Sequence, residues 1–441
     1  MLKYFPAKHQ KILRLSLPAA TNSLLDMLQV VTDLIMVGTI SAFAVAAVGL
    51  GLQSLMLVFA VLTVLHVGTS ALLSRFVGAR QMNRASIGLS TLLRFAFKLS
   101  IPTMFIWYFF ASNIYSWFGT DPEVVVLGES YVQMLTWMMP FIFVKLVFVS
   151  ALNSAGDTTT PMKVKILSIL LNVVLNYLLI FGHYGFPELG VLGAAVGTVI
   201  VNILEFMVYI FLYVKNKTPY TAGWHYSKSL LARALKVGIP ASIERSLTFG
   251  SFMLFTVVIA HYGTAVLAGY QIGLRVEGLA FMPGIGFTIA AMALMGQGLG
   301  AKRPKQAKED VFLVLKYTSG FMFFLSFFMI FMPEHIVKFF TNDLATIEQA
   351  SLYLKIVGVS QIPLAFNFVL SGALRGAGDS RTTMKINLIS LWFVRILPAF
   401  LLSWYFQNIL FVYLAMITDT FVKATALWIR FNSDKWQNIK V

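Results

Sequence analysis

The sequence predicts an all-α polytopic membrane protein with twelve transmembrane helices in two pseudo-symmetric halves of six. Two observations support this fold class. First, 58% of the 441 residues are hydrophobic and only 12% are charged, which is about half the charge of a soluble protein of this length. Second, the chain repeats itself at a fixed offset of 222 residues, the separation of Pro18 and Pro240.

The apolar runs are about 20 residues long, as spanning helices require, whereas a lipid-facing barrel would show short alternating segments. The basic N-terminus resembles a signal peptide. However, the apolar stretch after it carries Asp26 and Asp33 and is too long for a signal sequence, so we expect a retained first helix. The predicted spans cover about 13–39, 46–74, 90–117, 130–153, 162–183, 190–215, 234–262, 267–297, 312–333, 350–374, 384–405 and 407–430.

The net charge of +16 does not indicate a nucleic-acid partner, because the cations cluster at both termini and in every second loop. The loops "GTISAFAV" and "HYGTAV" contain no Lys or Arg, and "GTDPEVVVLGE" is acidic. This positive-inside pattern predicts cytoplasmic termini and even-numbered loops in a prokaryotic cytoplasmic membrane. The chain has no cysteine, which excludes disulfides and zinc–thiolate clusters. It also lacks a HExxH motif, a nucleophile elbow and a P-loop, so we expect no enzyme activity.

The repeat predicts a first six-helix lobe at 1–215, a cytoplasmic linker at 216–233 and a second lobe at 234–441. Because six is even, both lobes have the same orientation, as in transporters with parallel repeats. The stretches "ALNSAGDTTTPMK" (151–163) and "ALRGAGDSRTTMK" (373–385) occupy the same place in the two halves. We interpret each as an intracellular turn, in which glycine ends one helix and an aspartate (Asp379 in the second copy) caps the next.

Polar residues inside the predicted spans identify a candidate site, since an ionisable side chain at mid-membrane costs at least about 2.5–3.5 kcal/mol on insertion scales. Spacings of three and four place the polar residues of each helix on one face. These residues are Asn22, Asp26, Gln29 and Asp33 in the first span, Asn172 and Asn176 in the fifth, and Thr198, Asn202 and Glu205 in the sixth. The three faces predict a hydrated pocket for a proton or a sodium ion. The alternative is helix–helix hydrogen bonding without a transport role.

The second half does not repeat this site. Thr248 and Phe255 stand at the positions of Asp26 and Asp33, and this asymmetry favours a functional pocket in the first half. The charges of the second half resemble pairs and are Glu244 with Arg245, Arg275 with Glu277, Asp419 with Lys423, and Arg395. Glu244 shares a helical face with Thr248, so it is a candidate for lining the cavity.

With these residues in view, the chain resembles the MATE (multidrug and toxic compound extrusion) family over essentially its whole length. The resemblance is carried by "VTDLIMVGTISAFAVAAVGL", "LNVVLNYLLIFG", "GVLGAAVGTVI", "GIPASIE", "LMGQGLGA" and "SGALRGAGDSRTT". It implies a V-shaped pair of six-helix lobes and export of drugs against inward H+ or Na+. It further implies that Asp33 is the coupling carboxylate, with Asn172 and Thr198 in the same site. Asn176 departs from DinF-like members, which carry an aspartate there, and Asp26 restores a carboxylate nearby.

We therefore hypothesise a monomeric, cofactor-free, secondary-active exporter of amphipathic cationic small molecules in a lipid bilayer. The expected coupling residues are Asp33, Asp26, Asn172, Asn176 and Thr198, of which Asp33, Asn172, Asn176 and Thr198 would hold Na+ if sodium is the coupling ion. The expected substrate cavity consists of Gln29, Asn202, Glu205, Glu244 and Thr248. Two alternatives remain open: a flippase for lipid or polysaccharide precursors with a related fold, and an ion channel.

Overall fold

The computed structural model describes residues 6–117 and 121–439, and regular structure over these residues is entirely helical. Sixteen α-helices follow one another along the described chain. They are α1 Ala7–Gly38, α2 Ala42–Gly78, α3 Met82–Trp117, α4 Pro122–Thr136, α5 Met139–Ala155, α6 Thr159–Phe181, α7 Val191–Val214, α8 Lys228–Ala260, α9 Thr264–Gly300, α10 Pro304–Phe331, α11 Pro333–Lys338, α12 Leu344–Val359, α13 Gln361–Gly376, α14 Ser380–Ser390, α15 Leu397–Phe406 and α16 Ile409–Asn432.

These helices provide ten single spans and two bent pairs, so the described chain crosses a membrane twelve times if each pair is one span. The bent pairs are α4 with α5, at 52°, and α12 with α13, at 55°. Each bent pair is the fourth span of its half. In the first pair, α5 has Pro140 within its first turn. A proline at that point lacks the N–H that would bond back into the preceding helix. The predicted fold class and number of spans are confirmed.

The eleventh span, Ser380–Phe406, contains a π-helical segment at Leu391–Ile396 between α14 and α15. Pro398 is the second residue after this segment. Proline cannot donate to the carbonyl four residues earlier, and a widened turn accommodates its ring. In the first half the corresponding residue is Asn176, and α6 is a continuous α-helix. One proline thus gives the two halves different geometry at this depth.

The chain divides into two compact units, one containing Thr21–Gly238 and the other containing the chain up to Ala20 together with Ile239 onward. We call them the N-terminal and C-terminal units. The sequence-based boundaries at 215 and 234 follow the repeat, whereas these units follow packing. As a result, α1 and α8 each contribute to both units, and the linker belongs to the N-terminal unit. Tyr220 of the linker is buried there and donates its hydroxyl to the Ala151 carbonyl at 2.7 Å.

The start of α1 belongs to the C-terminal unit because its apolar side chains complete that unit's core. Ile12 and Leu15 are buried in a cluster with Phe287, Leu294 and Phe431. Lys8 reinforces this packing by donating to Glu309 at 2.7 Å. The first turns of α1 are therefore anchored on α9, α10 and α16.

The repeated turns have the predicted backbone but only one of the predicted caps. Gly156 and Gly378 adopt left-handed φ angles of 93° and 87°, which glycine tolerates best. Asp157 accepts from the Thr160 amide at 3.0 Å, as a capping residue does. The predicted cap at Asp379 is wrong, because its carboxylate instead accepts from Arg430 Nε at 2.7 Å and forms an ion pair with Nη2 at 2.7 Å.

Replacing Arg430 with methionine should destabilise the C-terminal unit by leaving the buried Asp379 carboxylate unpaired. We expect a loss of about 3 kcal/mol, at the lower end of the range for breaking a buried ion pair, because 21% of the Arg430 side chain is exposed. The measurement is thermal unfolding of the purified protein in detergent. Arg381→Met, which removes an exposed arginine near the same turn, is the matched control. Equal melting temperatures for the two variants would contradict the assignment.

Candidate functional site

Asp33 of α1 forms the centre of the candidate site in the N-terminal unit. Its Oδ1 accepts a hydrogen bond from Asn176 Nδ2 at 2.6 Å, and the same Nδ2 lies 3.4 Å from Asn172 Oδ1. Both asparagines are fully buried, and they leave Asn176 Oδ1 and Asn172 Nδ2 without a partner among the described residues. Buried amide atoms without a partner are costly, which makes these two atoms the unsatisfied hydrogen-bonding groups of the set.

Two glycines bring α7 close to α6 beside these amides. A Cβ atom on Gly193 would lie 2.4 Å from the Leu179 carbonyl oxygen, and one on Gly197 would lie 2.3 Å from Asn176 Oδ1. Thr198 follows Gly197, and its carbonyl accepts from Asn202 Nδ2 at 2.8 Å. Within the described chain, no hydrogen bond joins the Thr198 hydroxyl to Asp33 or to the asparagines. The structure therefore brings Asp33, Asn172 and Asn176 together and leaves Thr198 at their edge.

Asp26 and Gln29 are bound by a lysine of α6. Lys165 Nζ lies 2.7 Å from Asp26 Oδ1 and donates to Gln29 Oε1 at 2.8 Å. Only 13% of the Lys165 side chain is exposed. Lys165 lies more than a turn inside α6, which begins at Thr159.

Glu205 and Asn202 are bound by a second lysine, which the sequence analysis left out of the site. Lys145 of α5 donates to Asn202 Oδ1 at 2.6 Å and forms an ion pair with Glu205. A lysine in the middle of an apolar run is itself a signal of function or of pairing. The signal was present in the sequence, but its partner could be found only by knowing which faces of α5 and α7 meet.

Asp33 thus differs from the other two carboxylates of α1 and α7. Asp26 and Glu205 each have an ammonium partner, and Asp33 has only an amide. Among the described residues, no lysine or arginine forms an ion pair with it. A proton or a cation is the simplest means of neutralising its charge.

Glu244, the candidate in the C-terminal unit, is held by two helices. Its Oε1 accepts from Arg375 Nη2 and from Asn387 Nδ2, each at 2.6 Å, and its Oε2 is buried without a partner in the described chain. The expected pairing with Arg245 is wrong, because the side chains of adjacent residues in a helix do not face each other. Thr248 lies one turn on and donates to the Glu244 carbonyl at 2.7 Å.

Of the two other predicted pairs in the C-terminal unit, one forms and one does not. Glu277 accepts from the Tyr353 hydroxyl at 2.6 Å, and no ion pair joins it to Arg275 in the described structure. Asp419 and Lys423 are paired at 2.8 Å as predicted.

Groups of three or more histidine and acidic side chains that could hold a metal ion do not occur among the described residues.

A polytopic helical protein made of two repeats, with charged side chains paired inside its spans, has the architecture of a secondary transporter. A family model for MatE matches residues 18–178 and again 240–401, so both matches begin at the repeated prolines Pro18 and Pro240. The chain belongs to this family of multidrug transporters, as the sequence motifs implied. Its members are transporters that need no cofactor, not enzymes.

Similar proteins agree with this membership. The chain is 31% identical to the probable multidrug resistance protein NorM of Thermotoga maritima, over 98% of this chain and 94% of that protein. It is 29% identical to the probable multidrug resistance protein YoeA of Bacillus subtilis, over 77% of this chain and 74% of that protein. The solved Vibrio cholerae MATE transporter VcmN in its bent form has the same fold, with a TM-score of 0.90 at 19% identity over 97% of both chains.

Gly197→Ala should displace Asn176 from Asp33, because the added methyl group would lie 2.3 Å from Asn176 Oδ1. We expect a roughly ten-fold or greater loss of substrate export, comparable to losing a charge-assisted hydrogen bond. The measurement is transport in proteoliposomes, with thermal unfolding as the check on folding. Gly49→Ala is the control, since no atom lies within 4 Å of its added Cβ. Wild-type export by a well-folded Gly197→Ala protein would show that this contact has no role.

Proposed function

We propose that this protein is a secondary-active exporter that moves amphipathic small molecules against inward protons, with Asp33 as the coupling carboxylate. The observation that carries the proposal is the contrast within one unit. Lys165 pairs with Asp26 and Lys145 pairs with Glu205, whereas Asp33 is in direct contact only with the amide of Asn176, and Lys165 acts on it at longer range. The family and the names of its relatives support multidrug transport.

In this mechanism, Asp33 is stable inside the protein when it is protonated or when a cation lies beside it. An ionised carboxylate without a partner is costly within the bilayer, whereas a neutral one is not. Asn176 orients the carboxyl group in either state, and Asn172 fixes Asn176. Proton binding and substrate binding then favour different conformations through their different affinities for each.

The orientation of Asn176 favours a proton over sodium. Hard cations bind oxygen ligands, but Asn176 presents its N–H group to Asp33 and to Asn172 Oδ1. A sodium site made of Asp33, Asn172, Asn176 and Thr198 would require the Asn176 amide to turn over and Thr198 to move in. Protonation of Asp33 requires neither change. Sodium coupling is therefore the second hypothesis.

We propose that the substrate contacts Gln29, Asn202 and Glu205 of the N-terminal unit and Glu244 and Thr248 of the C-terminal unit. In the structure each of these side chains has an intramolecular partner, so a substrate would displace that partner or bind beside it. Because Lys145 and Lys165 neutralise two carboxylates, the preference for cationic cargo rests on Asp33. We further propose a monomer with both termini on the cytoplasmic side of a prokaryotic inner membrane.

Asp33→Asn should abolish uphill export while leaving the protein folded, because asparagine is close in shape and cannot release a proton. The test is substrate transport in proteoliposomes, with a pH gradient and a sodium gradient imposed separately. Wild-type protein should respond to the pH gradient and the variant to neither. Glu123→Gln, which neutralises an exposed carboxylate at the start of α4, should transport normally.

Four results would contradict parts of this proposal. Export by Asp33→Asn at the wild-type rate would remove Asp33 from the coupling site. Stimulation of the wild type only by sodium would replace the proton. Downhill flux that never accumulates substrate would indicate a channel, and movement of labelled lipid without drug transport would indicate a flippase.

A further inference from the structure

Arg395 is an arginine near the centre of the eleventh span, Ser380–Phe406, within the π-helical segment. Its guanidinium group lies over the rings of Phe252 and Phe255, with its carbon 5.5 Å and 5.0 Å from the ring centroids. Its Nε is buried without a hydrogen-bond partner, and within the described chain no carboxylate or carbonyl oxygen contacts the side chain. An unpaired cation at this depth is rare, and such residues mark binding sites.

The surrounding charges do not compensate Arg395 directly. Glu244 is taken by Arg375, and Asp419 is taken by Lys423. Glu277 and Lys423 interact with Arg395 electrostatically, but Glu277 is hydrogen-bonded to Tyr353 rather than to the guanidinium. Because Lys423 is already paired with Asp419, Glu277 is the carboxylate that balances Arg395, and it does so without a hydrogen bond to the guanidinium group.

By the repeat, this cation does not occupy the position of Asp33 itself but packs against the residue that does. Phe255, which packs on Arg395, is the counterpart of Asp33, and Arg395 itself is the counterpart of Val173. Pro398, which follows the π-helical segment, is the counterpart of Asn176. The C-terminal unit therefore presents a guanidinium between aromatic rings where the N-terminal unit presents a carboxyl group between amides.

We propose that Arg395 binds a monoanionic group, a carboxylate or sulfonate, of an amphipathic aromatic substrate. The planar guanidinium offers parallel N–H donors that match a carboxylate, and this pairing is stronger than a neutral hydrogen bond. Phe252, which is partly exposed, provides an apolar surface for the aromatic part of the same molecule, and Phe255 is buried behind the guanidinium group. The proposal rests on the transport function proposed above, and it extends the substrates from cations to zwitterions and anions.

The test uses two dyes that differ in one group, the rhodamine with a free benzoate and its methyl ester. Binding of each dye to the detergent-purified protein is measured by fluorescence anisotropy, and uptake into proteoliposomes is measured in parallel. Arg395→Gln should weaken binding of the free acid roughly ten-fold or more, because a charge-assisted contact is lost. Binding of the ester should change less than two-fold. Arg395→Lys, which keeps the charge but lacks the parallel N–H donors of the guanidinium group, should bind the acid with intermediate affinity.

Arg381→Gln is the control, because it removes an exposed arginine at the start of the same span. It should bind both dyes as the wild type does. Equal weakening of acid and ester by Arg395→Gln would assign Arg395 a structural role. An unchanged affinity of Arg395→Gln for the acid, or an undetectable affinity of the wild type for it, would also overturn the proposal. Because binding is measured without a gradient, a failure of proton-coupled transport is distinguishable from a failure of this site.

Discussion

The cost of an uncompensated charge inside the bilayer constrains every polar contact described above. Each ionisable side chain within a span needs a partner from a helix that packs against it, so the ion pairs also fix how the helices are rotated. Lys165 joins α6 to α1, Lys145 joins α5 to α7, and Arg375 joins α13 to α8. These pairs hold the helices that carry the candidate site, whereas Asp33 and Arg395 are two exceptions that form no ion pair among the described residues.

The two exceptions occupy related places in the repeat and have opposite charge. Asp33 corresponds to Phe255, which packs against Arg395. Duplication of a six-helix unit supplies the same scaffold twice, and a few substitutions then give each copy its own chemistry. Asn176 and Pro398 illustrate this. Asparagine does not interrupt α6, and its side-chain amide orients a carboxyl group, while the proline follows a π-helical turn that carries an arginine.

The sequence predicted the fold class, the spans and the repeated turns, because apolar length and a fixed offset are properties of the chain alone. It also placed Asp33 beside Asn172 and Asn176, since their spacing defines one face on each helix. It could not predict which other charged side chains meet across helices. Glu244 therefore seemed to belong with its neighbour Arg245, although Arg375 and Asn387 reach it from two other helices.

The two lysines change how coupling can be understood. When Asp33 is ionised, the three carboxylates of α1 and α7 exceed Lys145 and Lys165 by one negative charge, and protonation of Asp33 makes the set neutral. A cationic substrate beside Asp33 would achieve the same neutrality. In the proposed mechanism, proton and cation are therefore alternative ways of satisfying one electrostatic requirement, and binding of one weakens the need for the other. Exchange follows from this competition without a separate signal between two sites, provided that Asp33 is the only carboxylate of the set that remains unpaired.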